Sequence, residues 1–185
     1  MRWLVVLLLS SAVHLLPGGA SAVSISLTPD QPSVSVGGSV TLTLEVSALG
    51  GAAVGTFDLN VSYDATRFAL NSVSFAGALG DVGLGEQLVD VVNSVGNVNV
   101  ASVSLLDPGE LAALQGDPVV LVSFVFDAAA PGSGAFGFGA LLLGDAFGAP
   151  LAIGTQTGAT VDVPEPALAL LLALGAVALV RRGRS

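Results

Sequence analysis

Ser39-Val40-Thr41-Leu42-Thr43-Leu44-Glu45-Val46 alternates polar and apolar side chains at every step, so Val40, Leu42, Leu44 and Val46 share one face. Phe57-Asp58-Leu59-Asn60-Val61-Ser62-Tyr63 repeats the pattern, with Phe57, Leu59, Val61 and Tyr63 on one side and Asp58, Asn60 and Ser62 on the other. Successive Cβ atoms of an extended chain point to opposite faces, so a period of two predicts strands with one face on a core and one in water. Val23-Ser24-Ile25-Ser26-Leu27 and Val34-Ser35-Val36 are shorter versions. Asn97-Val98-Asn99-Val100 alternates and then changes phase through Ala101 to Leu105, which predicts a bulge. Val119 to Phe126 is apolar at nearly every position, the pattern of a central strand covered on both sides. Ala135 to Ala140 alternates again, and Ala159-Thr160-Val161-Asp162-Val163 closes the series.

Turn chemistry falls between these runs. Thr28-Pro29-Asp30, Gly37-Gly38, Gly50-Gly51, Pro131-Gly132-Ser133-Gly134 and Gly148-Ala149-Pro150 punctuate the chain. Asp107-Pro108-Gly109-Glu110-Leu111 has the marks of a helix start, with Asp107 as N-cap, Pro108 at N1 and Glu110 at N3. Eight or nine strands with short turns predict an all-β fold, an antiparallel β-sandwich of the jelly-roll kind, over residues 23–163.

The two ends read differently. Arg2, the apolar run from Trp3 to Val13, the break at Pro17-Gly18-Gly19 and the small residues Ala20 and Ala22 make an N-terminal signal peptide, residues 1–22, with cleavage after Ala22. At the other end Pro164-Glu165-Pro166 precedes an apolar run, Ala167 to Val180, predicted as a single hydrophobic helix. Arg181, Arg182 and Arg184 form a basic stop behind it. Fourteen residues rise about 21 Å as a helix, short of a hydrocarbon core of about 30 Å. A transient membrane handle fits that length better than a permanent span.

Charge and composition exclude much chemistry. Between Val23 and Val163 stand thirteen acids and a single base, Arg67, a net charge of −12. Nucleic acid, which needs a basic footprint, is excluded as a direct partner. The single His, His14, and the single Trp, Trp3, fall in the signal peptide, and the chain has no Cys and no Lys. No Ser-His-Asp or Cys-His nucleophile can be assembled from residues 23–163, nor a zinc site of imidazole or thiolate. Only carboxylate chemistry is left, of the kind glycosidases use, without the sugar-stacking aromatics and positioned polar partners such clefts carry. The protein is therefore expected not to be an enzyme.

Val163-Pro164-Glu165-Pro166, the Ala/Leu-rich run and the terminal arginines together resemble the PEP-CTERM sorting signal of Gram-negative bacteria. That resemblance implies a signal peptidase and an exosortase-like membrane transpeptidase as processing partners. It also implies export through a transient inner-membrane anchor to the cell surface or extracellular matrix. The order of features in the sandwich resembles the cohesin family. Val36-Gly37-Gly38-Ser39-Val40-Thr41-Leu42 is similar to its Gly-rich turn into an early strand, and Phe57 to Asp64 to its strand ending in Tyr-Asp. Phe68 to Gly77, Val119 to Phe124 and Pro131-Gly132-Ser133-Gly134 are similar to the segments that follow. In cellulosomal cohesins the Tyr-Asp strand carries an Asn-x-Asp that touches a dockerin. At the matching Thr56, Phe57 and Asp58, Asp58 fits and Thr56 departs. The resemblance implies a binding module.

Asp58, Asn60 and Ser62, outward on one predicted strand, are the candidate partner-binding residues. Asp107, Glu110 and Asp117, or Asp81, Glu86 and Asp90, are conceivable calcium ligands, but neither set has the spacing of a cation-binding loop. No metal or cofactor is therefore expected. Arg67 is expected to pair with Asp64, and Tyr63 to sit in the core with its hydroxyl at the rim. The reading that follows is an exported, non-catalytic module that attaches to an unknown surface protein or a matrix component such as exopolysaccharide. The alternative is a carbohydrate-binding module for exopolysaccharide or another polysaccharide, which the absence of Trp between residues 23 and 163 counts against.

Overall fold

Alternating strands need a second layer to cover their apolar sides, and this chain supplies it by folding its strands into two facing sheets. The computed structural model describes residues 22–165. Along them run β1 (Val23–Pro29), β2 (Ser39–Ser47), β3 (Val54–Tyr63), β4 (Phe68–Phe75), β5 (Gln87–Ser94), β6 (Asn97–Ser104), α1 (Pro108–Leu114), β7 (Val119–Ala128), β8 (Gly132–Asp145), β9 (Ile153–Thr157) and β10 (Ala159–Val163). The first sheet has the order β4-β7-β2-β1-β9 and the second the order β10-β8-β3-β6-β5. Every pairing is antiparallel except β1 with β9, so the sandwich is mixed by one pair rather than wholly antiparallel.

The predicted inward residues of β2 and β3 meet between the sheets: Val40, Leu42, Leu44, Val46, Leu59 and Val61 are fully buried. Phe126 packs with ring centroids 4.9 Å from both Tyr63 and Phe136, and Phe68 lies 5.0 Å from Phe136. Each such side chain contributes about 1.5–3 kcal/mol on burial. Gly134 is required at this centre because a Cβ there would collide with the ring of Phe68. Tyr63 is half-buried against this cluster, as expected.

Helix α1 begins where the Asp107-Pro108 signal places it, with Pro108 in the first turn and Leu111 buried, although Asp107 makes no side-chain capping bond. Just past the helix, Gln115 accepts the Val54 N–H (2.7 Å) and donates to the carbonyls of Val54 (2.7 Å) and Ala78 (3.0 Å). The helix is thereby tied to the start of β3 and to the 3₁₀ turn Gly77–Leu79.

Four expectations are corrected. Residues 97–104 hold no bulge: β6 pairs with β3 and β5 without a register shift. The phase is kept because Ser102 turns inward, buried under the side-chain amide of Gln87, which donates to its hydroxyl at 2.7 Å; Val103 then faces out. Strand β7 is flanked by β4 and β2 within its sheet but covered on one side only, with Ser123 and Val125 half-buried and Val120 exposed on the outside. Val34-Ser35-Val36 is no strand: the isolated bridge to Asp162 is made by Ser33 before it, and the segment contributes a buried Val34. Ten strands stand among the described residues rather than eight or nine, because β4, β5 and β9 carry no clean alternation.

The signal peptide up to Ser21, Pro166, the predicted apolar helix and Arg181, Arg182 and Arg184 lie outside the described residues. No helix among the described residues is long and apolar enough to cross a membrane.

Candidate functional site

The outward residues of the second sheet form rows across β8, β3, β6 and β5. Register places Gly144, Thr56, Val103 and Leu88 in one row, and Leu142, Asp58, Ala101 and Asp90 in the next. Asn60, Asn99 and Val92 follow, then Gly137, Ser62, Asn97 and Ser94. The three candidates read from the sequence, Asp58, Asn60 and Ser62, thus sit side by side on β3 at the middle of this face, Asp58 and Ser62 exposed and Asn60 half-buried. Asn99 donates from Nδ2 to Asp58 Oδ1 at 2.7 Å and to the Leu59 carbonyl at 3.3 Å, which orients the Asp58 carboxylate across the β3–β6 seam.

Around those polar groups stand apolar side chains that sequence reasoning did not single out. Leu88 is 59% exposed, Leu142 58%, Val92 56% and Val103 45%. Isolated exposed leucines are ordinary; several on one sheet face, interleaved with carboxylates, make a surface suited to a partner. Signals were present in the sequence only indirectly, as the phase change at Val103 and the doubled valines of β5.

The opposite outer face differs. Ser74, Ser123, Thr43 and Thr28 make one row across β4, β7, β2 and β1, and Ser72, Val125 and Thr41 make another. Two carboxylates lie on it: Glu45, between Ser26 and Val120, and Asp127, which accepts hydrogen bonds from Ser39 Oγ (2.7 Å) and Asn71 Nδ2 (2.8 Å), linking β7 to both neighbours. Those two bonds hold the Asp127 carboxyl below its ordinary range. Asp64 is held low in the same way, first by the hydroxyl and N–H of Thr66 and then by Arg67, its expected partner.

The acids considered for calcium do not assemble. Asp117 accepts the N–H groups of Ala48 and Leu49, both at 2.9 Å, a role in the loop before β3. Asp81 accepts from Gly83 (2.6 Å), and Glu86 accepts from the N–H of Asp81 (3.0 Å), closing the loop ahead of β5. Asp90 stands apart on the second-sheet face. Among the described residues no three acidic side chains converge into a set that could hold a metal ion. Asp81 and Glu86 share a depression of about 480 Å³ with Phe75, Gln87 and Leu114, but each already binds the loop's own backbone.

Known structures match this architecture closely. A type II cohesin domain from the cellulosome of Acetivibrio cellulolyticus superposes with a TM-score of 0.64 at 17% identity, over 76% of this chain and 95% of that one. A non-cellulosomal cohesin from the archaeon Archaeoglobus fulgidus gives 0.59 at 16% identity, over 78% and 93%. A type I cohesin from Clostridium thermocellum, solved in complex with a dockerin, gives 0.63 at 12% identity, over 77% and 99%. The fold is cohesin-like. No protein-family model matches the chain, and no curated protein matches it. At these identities the likeness concerns the fold alone, a cohesin-type sandwich whose sequence-specific contacts are free to differ.

Proposed function

We propose that this chain is an exported, non-catalytic attachment module whose outer second-sheet face, centred on Asp58 and flanked by Leu142, Val103 and Leu88, docks a protein partner. One observation carries the reading: exposed apolar side chains gather on that face, while the other outer face is lined chiefly with hydroxyls and exposes one large apolar side chain, Val120. Interfaces of moderate affinity are built from apolar anchors within a polar surround. With Asp58 and Asp90 in the central row and Arg67 the single base of residues 23–163, the fitting partner presents apolar side chains beside Lys or Arg. Cohesin-like architecture supports protein attachment over catalysis, and the Clostridium thermocellum relative in fold is bound to a dockerin.

The sorting half of the proposal rests on the tail. Pro164 and Glu165 follow β10 directly and are exposed, which supports their being read by an exosortase-like enzyme. Processed chains are then expected to begin at Val23 and end near Pro164 to Pro166. Photo-crosslinking residues placed singly at Leu142, Val103, Thr43 and Ser123 in the native organism test the face, and mass spectrometry reads the adducts and the mature ends together. Adducts at Leu142 and Val103 and none at Thr43 and Ser123 are expected. The reverse pattern rejects the docking face, and intact tail peptides in the exported pool reject the processing.

A further inference from the structure

Four strands end the two sheets, and three of them are guarded against pairing with another chain. Strand β4 is broken by a register shift between Leu70 and Ser72. Strand β9 has five residues and the sequence Ile-Gly-Thr-Gln-Thr; β10 has five residues, carries Asp162 and runs straight into Pro164. Short length, bulges, proline and charge are the usual defences of an open edge. Strand β5 has almost none of them. It runs eight residues, pairs with β6 without a register shift, and reads Gln-Leu-Val-Asp-Val-Val-Asn-Ser with Asp90 as its single charge. Every residue after Gln87 is exposed, including the apolar Leu88, Val89, Val91 and Val92.

The backbone of β5 fixes what can add to it. The N–H of Leu105 donates to the Glu86 carbonyl at 2.8 Å, continuing the register in which Leu88 faces Val103 and Ser94 faces Asn97. Antiparallel hydrogen bonding alternates, so the even-numbered residues of β5 bond to β6. The N–H and C=O groups of Gln87, Val89, Val91 and Asn93 therefore point off the free edge. An exposed extended strand is the chemistry such an edge recognises, and β5 is itself one.

We infer that β5 is a self-association edge, at which two copies of this chain pair antiparallel about a two-fold axis at Val91 and join their second sheets into one. A two-fold axis perpendicular to the sheet sets outward residues opposite outward residues. Two registers then keep most of β5 paired. The one centred on Asp90 sets two carboxylates about 4.5 Å apart at their Cα atoms, which is destabilising. The one centred on Val91 sets Asp90 opposite Val92, Leu88 opposite Ser94 and Val89 opposite Asn93. Electrostatics selects the second. Joining there makes the outer patches of the two copies, with Leu88 and Val92 at the seam, one continuous face. Repulsion between two strongly acidic domains opposes the pairing at low ionic strength, so salt strengthens it.

A chain without cysteine allows a direct test on the full-length protein in nonionic detergent. Val91→Cys is expected to give a covalent dimer under mild oxidation. Hydrogen-bonded antiparallel pairs stand about 5.5 Å apart at Cα, within disulfide reach. Val89→Cys, which leaves Asp90 in place to hold the register, is expected to crosslink at least ten times more slowly, since Val89 lies opposite Asn93 and its copies stand beyond about 7 Å. Sedimentation of Val91→Pro is expected to show at least tenfold weaker dimerisation; the missing N–H points off the edge, so all β5–β6 bonds survive. Val91→Lys serves if the proline variant does not fold, with far-ultraviolet circular dichroism as the check. A monomer at all salt and protein concentrations overturns the proposal. So does faster crosslinking at Val89→Cys than at Val91→Cys, or a dimer that persists in folded Val91→Pro or Val91→Lys.

Discussion

On the first sheet, Thr43 faces water between Ser123 and Thr28, and Asp127 is held by Ser39 and Asn71. On the second, Val103 faces water between Thr56 and Leu88, and Leu142 stands beside Asp58. Strand geometry is the same in both. The difference lies in which side chains the alternation sends outward, and it is sharpest at the β5–β6 corner, where Ser102 and Gln87 lie inside and Val103 and Leu88 outside. Placing valine and leucine in water forgoes burial energy that the hydroxyl face never had available. A surface of that kind is expected to gain its stabilisation elsewhere, on a partner.

Charging each face separates them most sharply. Leu142→Lys combined with Val103→Lys is expected to weaken partner binding by more than about 100-fold, because buried apolar anchors typically contribute 2 kcal/mol or more each. Thr43→Lys combined with Ser123→Lys is expected to leave binding within about twofold. Both double variants should unfold within about 0.5 kcal/mol of the parent for each change, as exposed substitutions do, which chemical denaturation reads. Equal losses of binding on the two faces would remove the distinction.

A second break concerns the inverted corner. Ser102→Ala leaves the buried amide of Gln87 without an acceptor and is expected to cost about 1–3 kcal/mol in urea unfolding. Adding Gln87→Leu removes the orphaned group and is expected to recover most of that loss. If the pair were equally costly together, the polar contact would not be what keeps β6 in phase.

This corner also shows where the sequence stops being legible. Strict alternation in β2 and β3 was enough to assign strands, faces and core, because one side meets water and the other does not. Helix α1 was legible from Asp107-Pro108. Strand β5 was not, since an edge strand exposed on both sides needs no alternation, and β9 is too polar and short to stand out. The phase change at Ala101 reads as a bulge to anyone counting apolar residues; only the cross-strand meeting of Gln87 with Ser102 shows that a serine took the inward place. Asp58, Asn60 and Ser62 could be found from one strand. Leu88, Val92, Val103 and Leu142 could not, because apolar residues are credited to the core until strand order sets four strands side by side.

The smallest expected effect isolates the polar face. Asp127 in the native state has its carboxyl below its ordinary value of 3.8, first through Ser39 and then through Asn71. A carboxyl lowered on folding stabilises the native state above its unfolded pKa, and that contribution is lost as pH falls through the folded value. Asp64, lowered by Thr66 and Arg67, acts with the same sign. Asp127→Asn is therefore expected to be less stable than the parent at pH 6, with the gap closing as pH drops below 3.8 and both forms become uncharged there. Thermal unfolding across pH 2–6 checks the convergence. A gap independent of pH would mean that Asp127 serves the three strands through shape alone.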